Sequence, residues 1–347
     1  MSYDGRTRVV IMAQPHADAV DLVMRDLPAL RAGEALVKIR YAGICGTDLH
    51  IIGWNEWAAR SYKPPFALGH EFCGEIVDLR EGGPFRIGDR VSGETHLACG
   101  NCDQCRRGRG HTCENLTTFS RLDRGSFADY SVVPVSLLRK VPPRVSDQIG
   151  AILEPLGISV RCVREVGSEG KDILISGCGP IGLMAIAAAR GFGAQRIIAV
   201  DPASARRDFA LQMGADIAID PNATDVVAAV RSATGGRGVD VCVETSGATP
   251  AISIGLKATN RGGALVMAGL PPRDVPIDIT GQIVLREVTL RGVYGRLLDQ
   301  TWIDTERALL SNLNVDAVIT DTFALEDYVA AIKCARAAQA GKVLLQP

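Results

Sequence analysis

Short β-branched segments, each broken by Gly, Pro or Asp, fill the first part of the chain: Ala35 to Tyr41, Cys73 to Leu79, Arg90 to Gly93, Phe127 to Pro134 and Leu138 to Val141. Spacing of this kind predicts a small irregular β-barrel or sandwich whose loops carry the chemistry. Around Leu153 the texture changes. Ile158 to Val166 places apolar residues at helical intervals, and Asp172 to Ser176 suits a strand covered on both faces. From there helices (Pro180 to Phe192, Ala205 to Met213, Thr224 to Thr234, Thr249 to Ala258) interleave with strands (Arg196 to Val200, Ile217 to Ile219, Val239 to Glu244, Gly263 to Ala268, Val288 to Val293). Repeated βαβ order means an α/β, doubly wound parallel sheet with helices on both faces. Thr301 to Asn312 and Leu325 to Ala337 read as further helices before a last strand, Lys342 to Leu345. The expected organisation is a first domain over 1–155, completed by the tail 296–347, and a second over 156–295.

Length supports that division, because 347 residues exceed what one core usually organises and 47% apolar content suffices for two. Lys, Arg, Asp and Glu are interspersed with a net charge of −1, so no footprint for nucleic acid or an anionic membrane is present. Apolar runs such as Ile181 to Ala189 are too short to span a bilayer, and the N-terminal stretch lacks a secretory pattern. A soluble, cytoplasmic protein acting on a small molecule is the expectation, with neither nucleic acid nor membrane as partner.

The cysteines sharpen the picture. Cys99, Cys102, Cys105 and Cys113 stand at C-x2-C-x2-C-x7-C in one Gly- and Arg-rich loop. Two-residue intervals disfavour disulfides, whereas four thiolates converging on a cation at about 2.3 Å form a tetrahedral structural zinc cage. The other six cysteines are scattered, as thiols in a reducing compartment are.

Immediately after Asp172 to Ser176 comes Gly177-Cys-Gly179-Pro180-Ile181-Gly182 and then a helix. The glycines permit a tight turn, backbone approach to a pyrophosphate, and close helix–strand packing, and Asp201 ends the next strand, where a carboxylate accepts from both ribose hydroxyls of NAD. The same charge repels a 2′-phosphate, although Arg206 and Arg207 stand close enough in sequence to partner one.

Upstream, Cys45 in GICGTDLH and His70-Glu71 in LGHEFCGE supply sulfur, nitrogen and an acidic group, the mixture of a catalytic zinc that keeps an open position. Two zinc ions per chain are therefore expected. Trp54 and Trp57 lie between the two ligand segments and serve either as a wall of the substrate pocket or as an apolar plug. Arg296 offers a planar fork to a substrate carboxylate, with a surface ion pair as its plain alternative.

Taken together, GICGTDLHI, the NEW stretch at Asn55 to Trp57, LGHEF, GDRVSGETH, GCGPIGLMA and VYGRLLDQTW resemble the zinc-dependent medium-chain dehydrogenases, and among them the L-threonine 3-dehydrogenases, nearly end to end. That resemblance implies a GroES-like catalytic domain beside a Rossmann domain. It implies Cys45, His70 and Glu71 around the catalytic zinc, with Glu154 as an alternative or transient ligand; family members differ in which carboxylate coordinates. It implies a proton relay through Thr47 and His50, and His96 near the substrate. Ile181, Asp201, Arg206, Leu270, Val293 and Tyr294 would line the NAD pocket. The implied reaction has zinc acidify a secondary alcohol while Thr47 and His50 take its proton and the hydride passes to nicotinamide. L-Threonine oxidation to 2-amino-3-ketobutyrate is the first expectation and a polyol, butanediol-like or other secondary alcohol the second, because ENLTTFSRLDRGSFADY and GISV depart from the threonine pattern. A zinc-stabilised, catalytically silent NAD-binding protein is the reading from another class, and an open metal site would have no use in it. A homotetramer is implied over a dimer, with Val288 to Val293 as the strand where two sheets could join.

Overall fold

The computed structural model describes residues 5–347 except Gly82, Asn312 and Ala338. Asp172–Ser176, whose five residues are all buried, lies inside a six-stranded, wholly parallel sheet. The order across that sheet is Ile217–Ile219, Arg196–Val200, Asp172–Ser176, Val239–Glu244, Thr259–Met267 and Thr289–Gly292. Chain order therefore reverses between Asp172–Ser176 and Val239–Glu244, the switch point of the 3-2-1-4-5-6 dinucleotide fold. Leu174, Ile198, Val230, Leu256 and Leu265 form part of one buried cluster here. Each such side chain contributes about 1.5–3 kcal/mol of transfer free energy. The helix Pro180–Gly191 is buried from Gly182 to Ala189, as a crossover helix lying flat on a sheet must be.

The other sheet system is antiparallel. Glu34–Gly43 pairs with Glu71–Arg80 along one side; on the other it meets Tyr130–Pro134 with its first half and Lys342–Gln346 with its end. Arg90–Gly93 and Leu138–Lys140 extend that sheet. An N-terminal hairpin, Arg6–Met12 with Val20–Asp26, pairs with Phe66–Ala67 to make a second, three-stranded sheet. The sequence pattern did not reveal this hairpin: Val20–Asp26 reads VDLVMRD, and its burial follows no clean alternation.

The chain divides into two units. One comprises the residues up to Glu154 with Asp321–Ala337 and Lys342–Pro347; the other comprises Pro155–Thr320 with 338–341. Residues 296–320, grouped from the sequence with the first domain, belong to the second. Local packing explains the difference. Gly191 abuts Leu313, Arg164 pairs with Asp304 at 2.9 Å, and the Arg296 stem packs over Gly157. The helix expected to reach Asn312 spans Asp299–Ser311, and Asn312 lies outside the described residues, as do the first four residues of the N-terminal stretch.

Candidate metal centres and dinucleotide site

Cys99, Cys102, Cys105 and Cys113 bring their sulfur atoms within 4.8 Å of one another. Cys102 Sγ and Cys113 Sγ are 3.8 Å apart, which is about the tetrahedral edge that four bonds of about 2.3 Å produce. Backbone N–H groups of Cys99 and Asn115 each donate to Cys113 Sγ at 3.3 Å and fix the position of that sulfur. The donor set and spacing fit a closed structural zinc.

The second group is Cys45, His70 and Glu71, whose ligand atoms also lie within 4.8 Å of one another. Cys45 caps the helix Gly46–Ile52, and its N–H donates to Asp48 Oδ2 at 2.9 Å. The other oxygen of Asp48 stands 3.2 Å from His70 Nδ1. This buried carboxylate therefore fixes the imidazole and leaves Nε2 as the ring atom for a metal. Burial alone would favour a neutral His70, but Asp48 and the Cys45 sulfur outweigh it and hold the imidazole well above its ordinary pKa.

Glu71 is fully buried and faces Gly43 across the ladder, where a Cβ would stand 2.1 Å from Glu71 Oε2. Only glycine leaves room for that carboxylate. Lys342, 2% exposed on the last strand, donates to Glu71 Oε1 at 2.7 Å and to the Ile44 carbonyl at 2.9 Å. Its Nζ also pairs with Oε2 at 2.5 Å, so one buried ammonium faces both carboxylate oxygens. Burial raises the Glu71 pKa against the opposing pull of Lys342 and His70. A buried carboxylate beside a cysteine and a histidine, with all three ligand atoms within 4.8 Å of one another, is a donor set that zinc takes. Glu154, the other carboxylate considered, accepts from Thr95 Oγ1 at 2.8 Å and is not a member of the three-residue group.

Thr47 and His50 occupy the same short helix three residues apart, on one face, with Thr47 half-buried and His50 exposed. His96 follows the residue that bonds Glu154, and its Nδ1 lies 3.4 Å from Glu94 Oε1. Trp54 is half-buried with φ +47°, a left-handed backbone that a bulky side chain adopts only under local constraint. Trp57 packs edge-on to Tyr62, which stacks on Phe66. Asp48 and Lys342 are the residues that sequence reasoning missed. Asp48 carried a signal, the acidic third position of a helix beginning at a candidate ligand; Lys342 carried none.

In the second unit, the glycine turn has the geometry the motif requires. Gly177 has φ +90°, Gly179 caps the helix, Pro180 opens it, and a Cβ on Gly182 would stand 1.9 Å from the Gly177 carbonyl oxygen. Asp201 is 4% exposed; its Oδ2 accepts from Cys178 N–H at 2.8 Å and its Oδ1 from Ala203 N–H at 2.9 Å. Each oxygen keeps acceptor capacity for a ribose hydroxyl. Arg207 is spent on the carbonyls of Asp201 and Pro202 and on Asp220, whereas Arg206 Nη1 is 4.0 Å from Asp201 and its buried Nε has no hydrogen-bond partner among the described residues. Ile181 is half-buried, and its carbonyl accepts from Ser159 Oγ at 2.8 Å, so the serine in GISV ties two helices together. Leu270 and Tyr294 are exposed while Val293 is buried. Arg296 corrects an expectation. It is not a surface ion pair but is fully buried, because Gly157 leaves space for its Cδ and Cγ.

The comparisons with known proteins agree with this chemistry. A family model described as alcohol dehydrogenase GroES-like domain matches residues 31–143, and one described as zinc-binding dehydrogenase matches 180–312. An L-threonine 3-dehydrogenase of Caldanaerobacter subterraneus is 40% identical over 99% of this chain and 100% of its own. Among solved structures, a zinc-binding dehydrogenase from Sinorhizobium meliloti bound to NADP superposes with a TM-score of 0.90 at 28% identity, covering 99% of both chains. The 2R,3R-butanediol dehydrogenase from Bacillus subtilis gives 0.87 at 27%, covering 98% of this chain and 99% of that one. With two zinc-fitting clusters, a nicotinamide-type glycine turn and a relative of this closeness along its whole length, the chain belongs to the zinc-dependent medium-chain dehydrogenases, a family of oxidoreductases.

Proposed function

We propose that this enzyme oxidises L-threonine at its secondary hydroxyl to 2-amino-3-ketobutyrate with NAD as hydride acceptor. The observation that carries this reading is the full-length relationship to an L-threonine 3-dehydrogenase at 40% identity. When bound, zinc acts as a Lewis acid toward the alcohol oxygen and nicotinamide takes the hydride. The protein's own groups do the rest. Cys45, His70 and Glu71 hold the metal, Asp48 keeps the imidazole oriented, and Lys342 keeps Glu71 in place. Thr47 receives the hydroxyl proton and passes it to His50, whose exposure lets it reach water. Carbon loses a hydride and oxygen a proton, so the products are a ketone, NADH and one proton. Asp201 binds the adenosine ribose and disfavours a 2′-phosphate. His96, Glu154 and Trp54 stand on the segments that would frame the substrate. Butanediol-like alcohols form the second reading, favoured by the likeness to the Bacillus enzyme.

A panel of L-threonine, butanediol, sorbitol and simple secondary alcohols, each with NAD and NADP, tests both. Threonine with NAD is expected to give at least tenfold the kcat/KM of any other pair. A butanediol preference would replace the first reading with the second.

Ten free cysteines support a reducing compartment, and among the described residues no helix is long and apolar enough to cross a membrane. The enzyme is further proposed to assemble with copies of itself along Thr289–Gly292. That strand ends the parallel sheet, its four residues are all exposed, and Leu290, Val284 and Leu285 leave apolar surface near it. Leu290→Glu is expected to lower the mass seen by light scattering to that of smaller species; an unchanged mass would place the contact elsewhere.

A further inference from the structure

Glu244 is the last residue of its strand and fully buried, and no step of the proposed chemistry uses it. Its carboxylate turns back into the turn that follows. Oε1 accepts from Ser246 N–H at 2.8 Å and from the Ser246 hydroxyl, and Gly247 N–H is shared between Oε2 at 3.0 Å and Oε1 at 3.1 Å. Its own carbonyl receives Ala268 N–H at 2.9 Å and Gly269 N–H at 3.1 Å. One residue thus gathers two turns at the C-terminal edge of the sheet. Both are interlocked with the glycine turn as well. Thr245 Oγ1 donates to the Gly177 carbonyl at 2.9 Å, and a Cβ on Gly177 would stand 2.8 Å from Ser246 Cβ. A Cβ on Gly269 would lie 2.2 Å from Gly247 N.

A buried carboxylate is costly unless its lone pairs are filled, and an apolar residue here would leave the Ser246 and Gly247 N–H groups unpaired. The position of these turns gives that cost a purpose. Asp201 follows the strand on one side of Asp172–Ser176 and is placed for the adenosine ribose, while Val239–Glu244 is the neighbour on the other side, across the switch point. A dinucleotide whose adenosine lies over Asp201 and whose diphosphate meets the glycine turn extends its second half over the turns that Glu244 pins. Those turns present exposed Ser246, Ala248 and Leu270 outward and keep Gly247 buried.

We propose that Glu244 is the positioning residue for the nicotinamide half of the cofactor site, holding the 245–248 and 268–270 turns in register with the glycine turn. This rests on the reading that the sheet binds a nicotinamide dinucleotide. The test compares NADH with ADP, which shares only the adenosine half, by titration of the zinc-loaded Glu244→Gln enzyme. The amide oxygen takes over the bonds at Oε1, the longer one from Gly247 N–H included, while the amide N–H at the Oε2 position faces Gly247 N–H donor to donor. The substitution also removes the negative charge that both turns share. NADH affinity is expected to fall tenfold or more, on the scale of a lost bond to a charged acceptor, with ADP affinity within twofold of the unaltered enzyme and two zinc ions retained. Equal weakening of both ligands, or of neither, overturns the proposal. Should that variant not fold, Ser246→Ala removes one donor and leaves Gly247 bonded; a drop of about threefold for NADH alone supports the role, and equal binding of NADH overturns it. If the unaltered enzyme binds ADP but not NADH, the cofactor reading itself fails, which separates the two failures.

Discussion

Cys45→Ser is expected to reduce turnover at least a thousandfold and to lower the zinc content from two ions per chain to one, with the remaining ion in the cage. The metal supplies several kcal/mol of charge stabilisation, and each loss of about 1.4 kcal/mol is tenfold in rate. The two clusters do not share a ligand, so they should empty separately. Cys113→Ser should also remove one zinc, but through the cage, where two backbone N–H groups converge on its sulfur. Its consequence is a protein that unfolds earlier in denaturant. Asp48→Asn gives the intermediate case: Cys45 N–H keeps an acceptor while His70 loses a charged partner, for a fall of about 10–100-fold in metal affinity or activity. Atomic absorption together with steady-state rates reads all three. A Cys45→Ser enzyme that kept two zinc ions and near-normal turnover would remove Cys45 from the catalytic centre.

What could be read in the chain beforehand was whatever is encoded locally. The cage is four cysteines within fifteen residues, and the glycine turn with its flanking strand and helix occupies one βα unit; both are folded as their spacing requires. Four of the parallel-sheet strands, Asp172–Ser176, Arg196–Val200, Ile217–Ile219 and Val239–Glu244, were foreseen at their observed limits, the central ones because burial on both faces writes a compact apolar run into each. By contrast, Gly263 to Ala268 missed the first four residues of Thr259–Met267. Long-range register left no such mark. Lys342 meets Glu71 only because Glu34–Gly43 lies between their strands, with Gly43 opposite Glu71 on one side and Leu344 on the other. No periodicity reports a pair 271 positions apart. The burial of Arg296 left no mark for a related reason: an arginine in a loop is usually wet, and the space that buries this one is a missing side chain at Gly157. Ser159 likewise departs from the family pattern in a way that the Ile181 carbonyl accounts for.

Lys342→Met is expected to cost about 3 kcal/mol of stability once the catalytic zinc has been removed with a chelator, a large share of what holds a domain folded. The ammonium is buried, and although burial disfavours its charge, Glu71, Cys45 and Asp48 outweigh that and raise its pKa. Methionine fills similar volume but leaves the Glu71 carboxylate with its principal counter-charge gone and the Ile44 carbonyl without this donor. The loss therefore reflects an uncompensated buried charge more than the net worth of the pair. That distinction is measurable. Pairing Lys342→Met with Glu71→Met removes both charges, and the double variant should recover most of the stability, with a coupling of at least 1.5 kcal/mol in denaturant titrations followed by a probe of the first unit. Activity should not recover, since Glu71 is gone from the metal centre. A single variant within 0.5 kcal/mol of the unaltered enzyme, or single effects that simply add, would show that Lys342 and Glu71 do not depend on one another.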